Sequence, residues 1–135
     1  MALAVLVVAS LATSVQAQNL RDANYKQLGK ISANGTVRNA QFITVGYFNT
    51  DGSISDKNRN KVGRVSSDMQ VYDAQGKRVG YITVDGAVHD GESAVIGRID
   101  RKTGKVSDGN YNTIGYAENL NIVWIACYYF FGFFS

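Results

Sequence analysis

The sequence predicts an all-β protein in which five β-hairpin repeats of seventeen residues form a closed antiparallel meander, a barrel-like ring. An apolar, aromatic C-terminal segment is expected to pack against it. Three observations lead there. Glycines that follow an aliphatic residue recur at Gly29, Gly46, Gly63, Gly80, Gly97 and Gly115, at spacings of 17, 17, 17, 17 and 18. Around them β-branched residues lie between Asn-Gly and Asp-Gly turns, and Pro is absent from all 135 residues. Beyond the last repeat, Ile122 to Phe134 carries no charge and holds seven of the chain's fifteen aromatics.

The first element is a signal peptide, residues 1–17. Ala2 to Ala12 is apolar and uncharged, and small side chains at Val15-Gln16-Ala17 and just before suit cleavage after Ala17. At about 1.5 Å per residue the stretch is too short to span a bilayer as a helix. No Lys or Arg follows Met1, which departs from the usual positive start and leaves an upstream start codon open. Export to the periplasm, cell surface or extracellular space is the expected location. A lead-in follows at 18–27, the repeat domain at 28–117 and the apolar segment at 118–135.

Each unit reads as two short strands. One apolar residue precedes the Gly, a second lies two places after it (Ile31, Phe48, Val65, Ile82, Ile99), and a third further on (Val37, Ile54, Val71, Val88, Val106). A three-residue loop with Gly in the left-handed position, as in Val84-Asp85-Gly86, pairs Ile82 with Val88. In the fifth unit the extra residue falls inside this loop, between Arg101 and Gly104, so Ile99 still meets Val106. A second turn of the same length, at Ala74-Gln75-Gly76, is expected to set Val71 opposite Val79. Val79 and Ile82 are three apart and would point to opposite faces of a regular strand; a bulge at Gly80 restores them to one face. The third unit has Asp68-Met69 in place of the turn Gly, which predicts a weaker or altered turn. Three aliphatics cannot offset the ordering of seventeen residues, so the units must share a core, and closure removes exposed edges.

Composition excludes several classes of function. Fourteen basic and eleven acidic residues give a net charge of +3, but the signs alternate without a basic block of the kind that grips nucleic acid. The single cysteine, Cys127, can form no internal disulfide, and the single histidine, His89, leaves an ordinary zinc site without ligands. Asp56, Asp73, Asp90 and Asp108, with Asn39, recur at the start of the second turn, where such side chains bond their own backbone. No nucleophile elbow or phosphate loop is present. The expectation is therefore no enzyme, no catalytic residues, no cofactor and no metal.

The repeating glycines, as in Gly80-Tyr81 and Gly97-Arg98, the Asp-Gly turns at Asp51-Gly52 and Asp85-Gly86, and the Trp followed by a Phe-rich end resemble the five-fold β-flower proteins, small secreted Bacteroidetes proteins. The resemblance implies a repetitive antiparallel β fold and export, and brings no activity or site residues with it.

Two features are candidates for function. The residues after the glycines, Lys30, Tyr47, Arg64, Tyr81, Arg98 and Tyr116, should form an outward belt of phenols and cations. Tyr47, Arg64, Tyr81, Arg98 and Tyr116 are the candidate binding residues, toward a glycan or a cell-envelope protein. The apolar segment is either core filler or a contact with a membrane or with other copies, since Trp and Tyr suit the headgroup zone. The functional expectation is a secreted, non-enzymatic binding or structural module, the alternative being a membrane-associated or self-assembling envelope component.

Overall fold

In the computed structural model, which describes residues 18–118 and 121–134, twelve antiparallel strands close into a barrel. The expected signal peptide lies outside the described residues. The strands are β1 (Gln18–Asp22), β2 (Gln27–Ile31), β3 (Thr36–Asn39), β4 (Thr44–Phe48), β5 (Ser53–Asp56), β6 (Lys61–Val65), β7 (Gln70–Asp73), β8 (Arg78–Ile82), β9 (Ala87–Asp90), β10 (Val95–Ile99), β11 (Lys105–Asp108) and β12 (Thr113–Ala117). Each pairs with its neighbour in sequence, and β1 pairs with β12.

The first-turn register is as the loop length requires: Ile82 faces Val88, and Ile99 faces Val106 despite the insertion. At the second turn the expected pairing shifts by one. Val71 lies opposite Gly80, Tyr72 lies opposite Arg78, and Val79 is the extra residue of a bulge. The loop does pair Asp73 with Lys77, but the bulge begins before the glycine and absorbs the aliphatic residue. The same irregularity recurs at all six glycine positions, from Gly29 to Gly115. It turns each Gly and the residue two places later toward the core. Ile31, Phe48, Ile82 and Ile99 are buried, as are Val37, Ile54, Val71, Val88 and Val106. The bulged residues Val45, Val62, Val79, Ile96 and Ile114 are half-buried against the edge of this cluster. Met69 enters the left-handed region at φ 67° and keeps the same turn hydrogen bonds as its glycine counterparts, so the third unit's turn is strained and not rearranged.

Closure depends on the lead-in. The eleven strands within 28–117 begin with β2 and end with β12, which run in the same direction and so cannot pair antiparallel. β1 supplies the missing partner to both. It carries Leu20, fully buried and seventeen residues before Val37, so it is the second half of an incomplete unit. Glu118 fastens the join, taking hydrogen bonds from Asn19 Nδ2 at 2.8 Å and from the Arg21 guanidinium.

A ring of twelve strands encloses more space than its own small side chains fill. The C-terminal segment fills it. Helix α1 (Ile122–Phe130) is capped by Asn121, whose Oδ1 accepts from Val123 N at 3.1 Å and Trp124 N at 3.2 Å, and it buries Ile122, Ile125, Ala126 and Cys127. From its last turn onward one ring covers each of five of the six inward glycines: Tyr129 lies on Gly115, Phe130 on Gly97, Phe131 on Gly80, Phe133 on Gly63 and Phe134 on Gly46. Gly132, at φ 67°, lets the chain curl between them. The apolar segment is thus packed against the ring as core.

Two outcomes test this packing. A methyl group at Gly97 would lie 2.2 Å from the Phe130 ring and 2.7 Å from Ser107 O, so Gly97→Ala should lower stability by about 1–3 kcal/mol or more in chemical unfolding, and Phe130→Ala should cost less in that background than in the native protein. Tyr129 is the one tyrosine among the five rings because it sits at the β1–β12 seam, where its hydroxyl donates to Arg21 O at 2.7 Å with Tyr116 O at 3.3 Å. Tyr129→Phe should keep the fold and cost about 1 kcal/mol, the worth of that hydrogen bond.

Candidate functional site

Because the barrel's glycine sockets are occupied by its own tail, the side chains free to meet another molecule are at the two mouths and on the outer wall. The five first turns lie at one mouth and the six second turns at the other.

The candidate belt residues are where alternation from the inward glycines requires, outside and half-buried. They do not stack on one another along the belt. Each is instead taken up by a residue from its own or a neighbouring hairpin. Arg59 lies 3.8 Å from the Tyr47 ring, Arg64 4.0 Å from Tyr72, and Arg98 4.6 Å from Tyr111. Tyr81 stacks on His89 with ring centroids 4.4 Å apart and has Arg78 at 5.1 Å. Tyr116 meets Tyr25 at 5.2 Å across the seam, and Arg21 covers the Tyr25 ring at 4.7 Å. Such pairs contribute about 0.5–1 kcal/mol each at exposed sites. Tyr47, Arg64 and Tyr81 thus pack along the wall. His89 is fixed further by Nδ1 against Ser93 O at 3.1 Å.

The second turns follow one construction. The first residue, Asp22, Asn39, Asp56, Asp73, Asp90 or Asp108, accepts the backbone N–H groups two and four places on. The fourth residue adopts positive φ: Tyr25, Phe42, Arg59, Gly76, Ser93 and Tyr111. At three of these positions the strained residue is an exposed aromatic, Tyr25 at 58%, Phe42 at 68% and Tyr111 at 70%. Ile43 beside Phe42 is 59% exposed. These three turns, β11–β12, β1–β2 and β3–β4, are consecutive around the ring and straddle the seam. Together with Arg21, Arg98 and Tyr116 they make one aromatic and cationic face. The sequence held the signal for it, since the three aromatics stand at the place of Gly76 in the period, but their backbone conformation was needed to see that they are held out.

The acids that open the second turns are structural. Hydrogen bonds from the backbone N–H of Asn60 hold the Asp56 carboxyl below its ordinary range, and those from Asn112 do the same for Asp108. A hydrogen bond from the Ser53 hydroxyl lowers Asp51. Burial pushes the Cys127 thiol up, which keeps it in its unreactive form. Among the described residues no three His, Cys, Asp or Glu side chains come together in a way that could hold a metal ion.

A ring of short hairpins closed around a plug made from its own C-terminus is a class of β-barrel defined by its repeat. The chain belongs to the 5-fold beta-flower proteins, whose family profile matches residues 10–134. No curated protein and no solved structure matches it.

The turn chemistry has a pH signature. A carboxylate whose pKa is depressed in the folded state contributes stability above its unfolded pKa, and that contribution is lost as pH falls through the folded value. Melting temperature should therefore decline below about pH 4. The double variant Asp56→Asn/Asp108→Asn, which copies the native Asn39 turn, should melt with a shallower acid dependence and little change near neutrality.

Proposed function

We propose that this protein is an exported, non-enzymatic interaction module, and that it engages a cell-envelope protein through the aromatic face at the seam. The observation that carries this reading is the exposure of Tyr25, Phe42 and Tyr111 on three successive turns in left-handed backbone. A non-glycine residue there costs of order 1 kcal/mol, and the turn at Gly76 shows that the same loop closes with glycine. The strain supports presentation of a side chain, not closure of a loop. Exposed Tyr and Phe beside arginines have the composition of protein-binding hot spots. Phe42 next to Ile43 offers an apolar contact better suited to a protein than to a sugar. The alternative, a membrane contact through Ile122 to Phe134, would first have to withdraw five rings from their glycine sockets.

A photo-crosslinking residue placed at position 42, with Ser93 of an equivalent turn as the control position, tests the reading in the exporting cell. The expected outcome is one adduct of defined mass at 42 and none at 93, lost when Tyr25→Ala and Tyr111→Ala are added while the protein stays folded, its melting temperature lowered by no more than about 10 °C. Equal labelling at both positions, or an adduct indifferent to the two alanines, would refute it.

A further inference from the structure

The mouth opposite the seam's aromatic turns has one irregularity, and it opens a cleft. At this end each first turn tucks its glycine beneath the next hairpin. Gly35, Gly52, Gly86 and Gly104 accept from Phe48, Val65, Ile99 and Ala117 N at 2.8, 2.8, 2.8 and 2.9 Å. A Cβ on any of them would lie 2.0, 2.6, 2.1 and 1.9 Å from the carbonyl oxygens of those same residues. The third unit breaks the pattern with Met69, which receives Ile82 N at 3.1 Å. Beside it Val65 is half-buried, whereas its counterparts Ile31, Phe48, Ile82, Ile99 and Ala117 are buried. Between the β4–β5 and β6–β7 turns, over Val65, is a cleft of about 440 Å³ whose apolar side includes Met69 and Trp124. The Trp124 indole is seated on Phe48, centroids 5.1 Å apart and planes 8° from parallel.

The polar side of the cleft is preorganised. Asn49 Nδ2 donates to Ser53 O at 3.2 Å and to the hydroxyls of Ser53 and Ser55 at 3.0 and 2.9 Å. Asp51 accepts from Ser53 N at 2.9 Å and Oγ at 2.7 Å, which leaves carboxylate lone pairs for a ligand. The hydroxyls of Thr50 and Ser67 also line it, and no Lys, Arg or His does. Without a cation the cleft does not suit an anion. Its size falls within the ordinary range of small-molecule sites, about 300–1,000 Å³, and an apolar floor with convergent hydroxyl, amide and carboxylate groups is the usual pattern of one.

We infer that this cleft binds a neutral saccharide, with the C–H face of a pyranose against Trp124 and Met69 and its hydroxyls toward Asp51, Asn49, Thr50 and Ser67. The site is on the far mouth from the seam face and does not depend on it.

Trp124 is the only tryptophan, so fluorescence excited at wavelengths that tyrosine does not absorb reports on this cleft. Cellobiose, maltose and N,N′-diacetylchitobiose are the probes, with glucuronate and tetramethylammonium as anionic and cationic comparisons. At least one neutral disaccharide should give a saturable shift of the emission maximum, and glucuronate none. Met69→Gly restores the turn residue of the other units and relieves positive φ, so its melting temperature should hold or rise. Its dissociation constant should rise about tenfold, the worth of one apolar wall. Absence of saturation with all three disaccharides, saturation by tetramethylammonium alone, or unchanged affinity in Met69→Gly would each overturn the inference.

Discussion

The inward glycine of each bulge is the constraint on which the structure depends. It points toward the axis of a ring that its own aliphatic residues cannot fill, and the absent side chain leaves a socket the size of an aromatic ring. Five of the six glycines have such a ring upon them, drawn in reverse order from the last residues of the chain. The wall and the tail are therefore not separable modules. Wall without tail would expose a broad apolar lumen, and tail without wall would be a run of aromatic residues in water. The same relation explains where the helix stops. A regular helix turns by about 100° per residue, while six glycines on a twelve-strand ring are about 60° apart, so continued helix would carry the rings out of step with the sockets. The chain leaves the helix at Phe131 and reverses its backbone at Gly132, which brings Phe133 and Phe134 onto the remaining glycines.

Closure adds a second constraint, parity. A meander can close antiparallel only with an even number of strands, and the half-unit at the N-terminus makes the number twelve. It also brings the first and last strands to one seam, where Asn19, Arg21, Tyr116, Glu118 and Tyr129 are joined by hydrogen bonds and an ion pair. Since the units are otherwise alike, a function located at one place on the ring has to come from departures from the repeat. Such departures are found at the seam turns with Tyr25, Phe42 and Tyr111, and at Met69 with Val65 on the other mouth.

Much of this was legible in the sequence, for identifiable reasons. The period, the first-turn register and the shared aliphatic face follow from the spacing of Asp-Gly turns, because loop length fixes pairing when no residue is inserted. Val71 opposite Val79 failed because a bulge is an insertion inside the strand, which the loop length does not reveal. β1 escaped notice because its two buried residues are Gln18 and Leu20, of which Leu20 alone is apolar, too little signal for a strand, although the seventeen-residue period extended backward reaches it. The belt residues were placed on the correct face. Their partners were not legible, since Arg59 comes to Tyr47, and Tyr111 to Arg98, from turns twelve and thirteen residues away. The pairing of the aromatic tail with five of the six glycines is encoded only through space.

The second turn shows how the ring tolerates residues that its backbone disfavours. In all six copies an Asp or Asn oxygen takes two backbone N–H groups, and the loop is closed by a further hydrogen bond from the left-handed residue to the carbonyl of that same Asp or Asn, as in Tyr25 N to Asp22 O at 3.0 Å and Tyr111 N to Asp108 O at 3.1 Å. Those bonds fix the loop whichever side chain occupies the fourth place, so tyrosine, phenylalanine, arginine, serine and glycine all appear there. The turn thus uncouples fold from side chain at that position. The side chain at that position then acts through what it touches on the wall, as Arg59 does on Tyr47 and Tyr111 under Arg98, and not through closing the turn. Tyr111, Tyr25 and Phe42 fall on adjacent turns and therefore form one continuous patch on the rim.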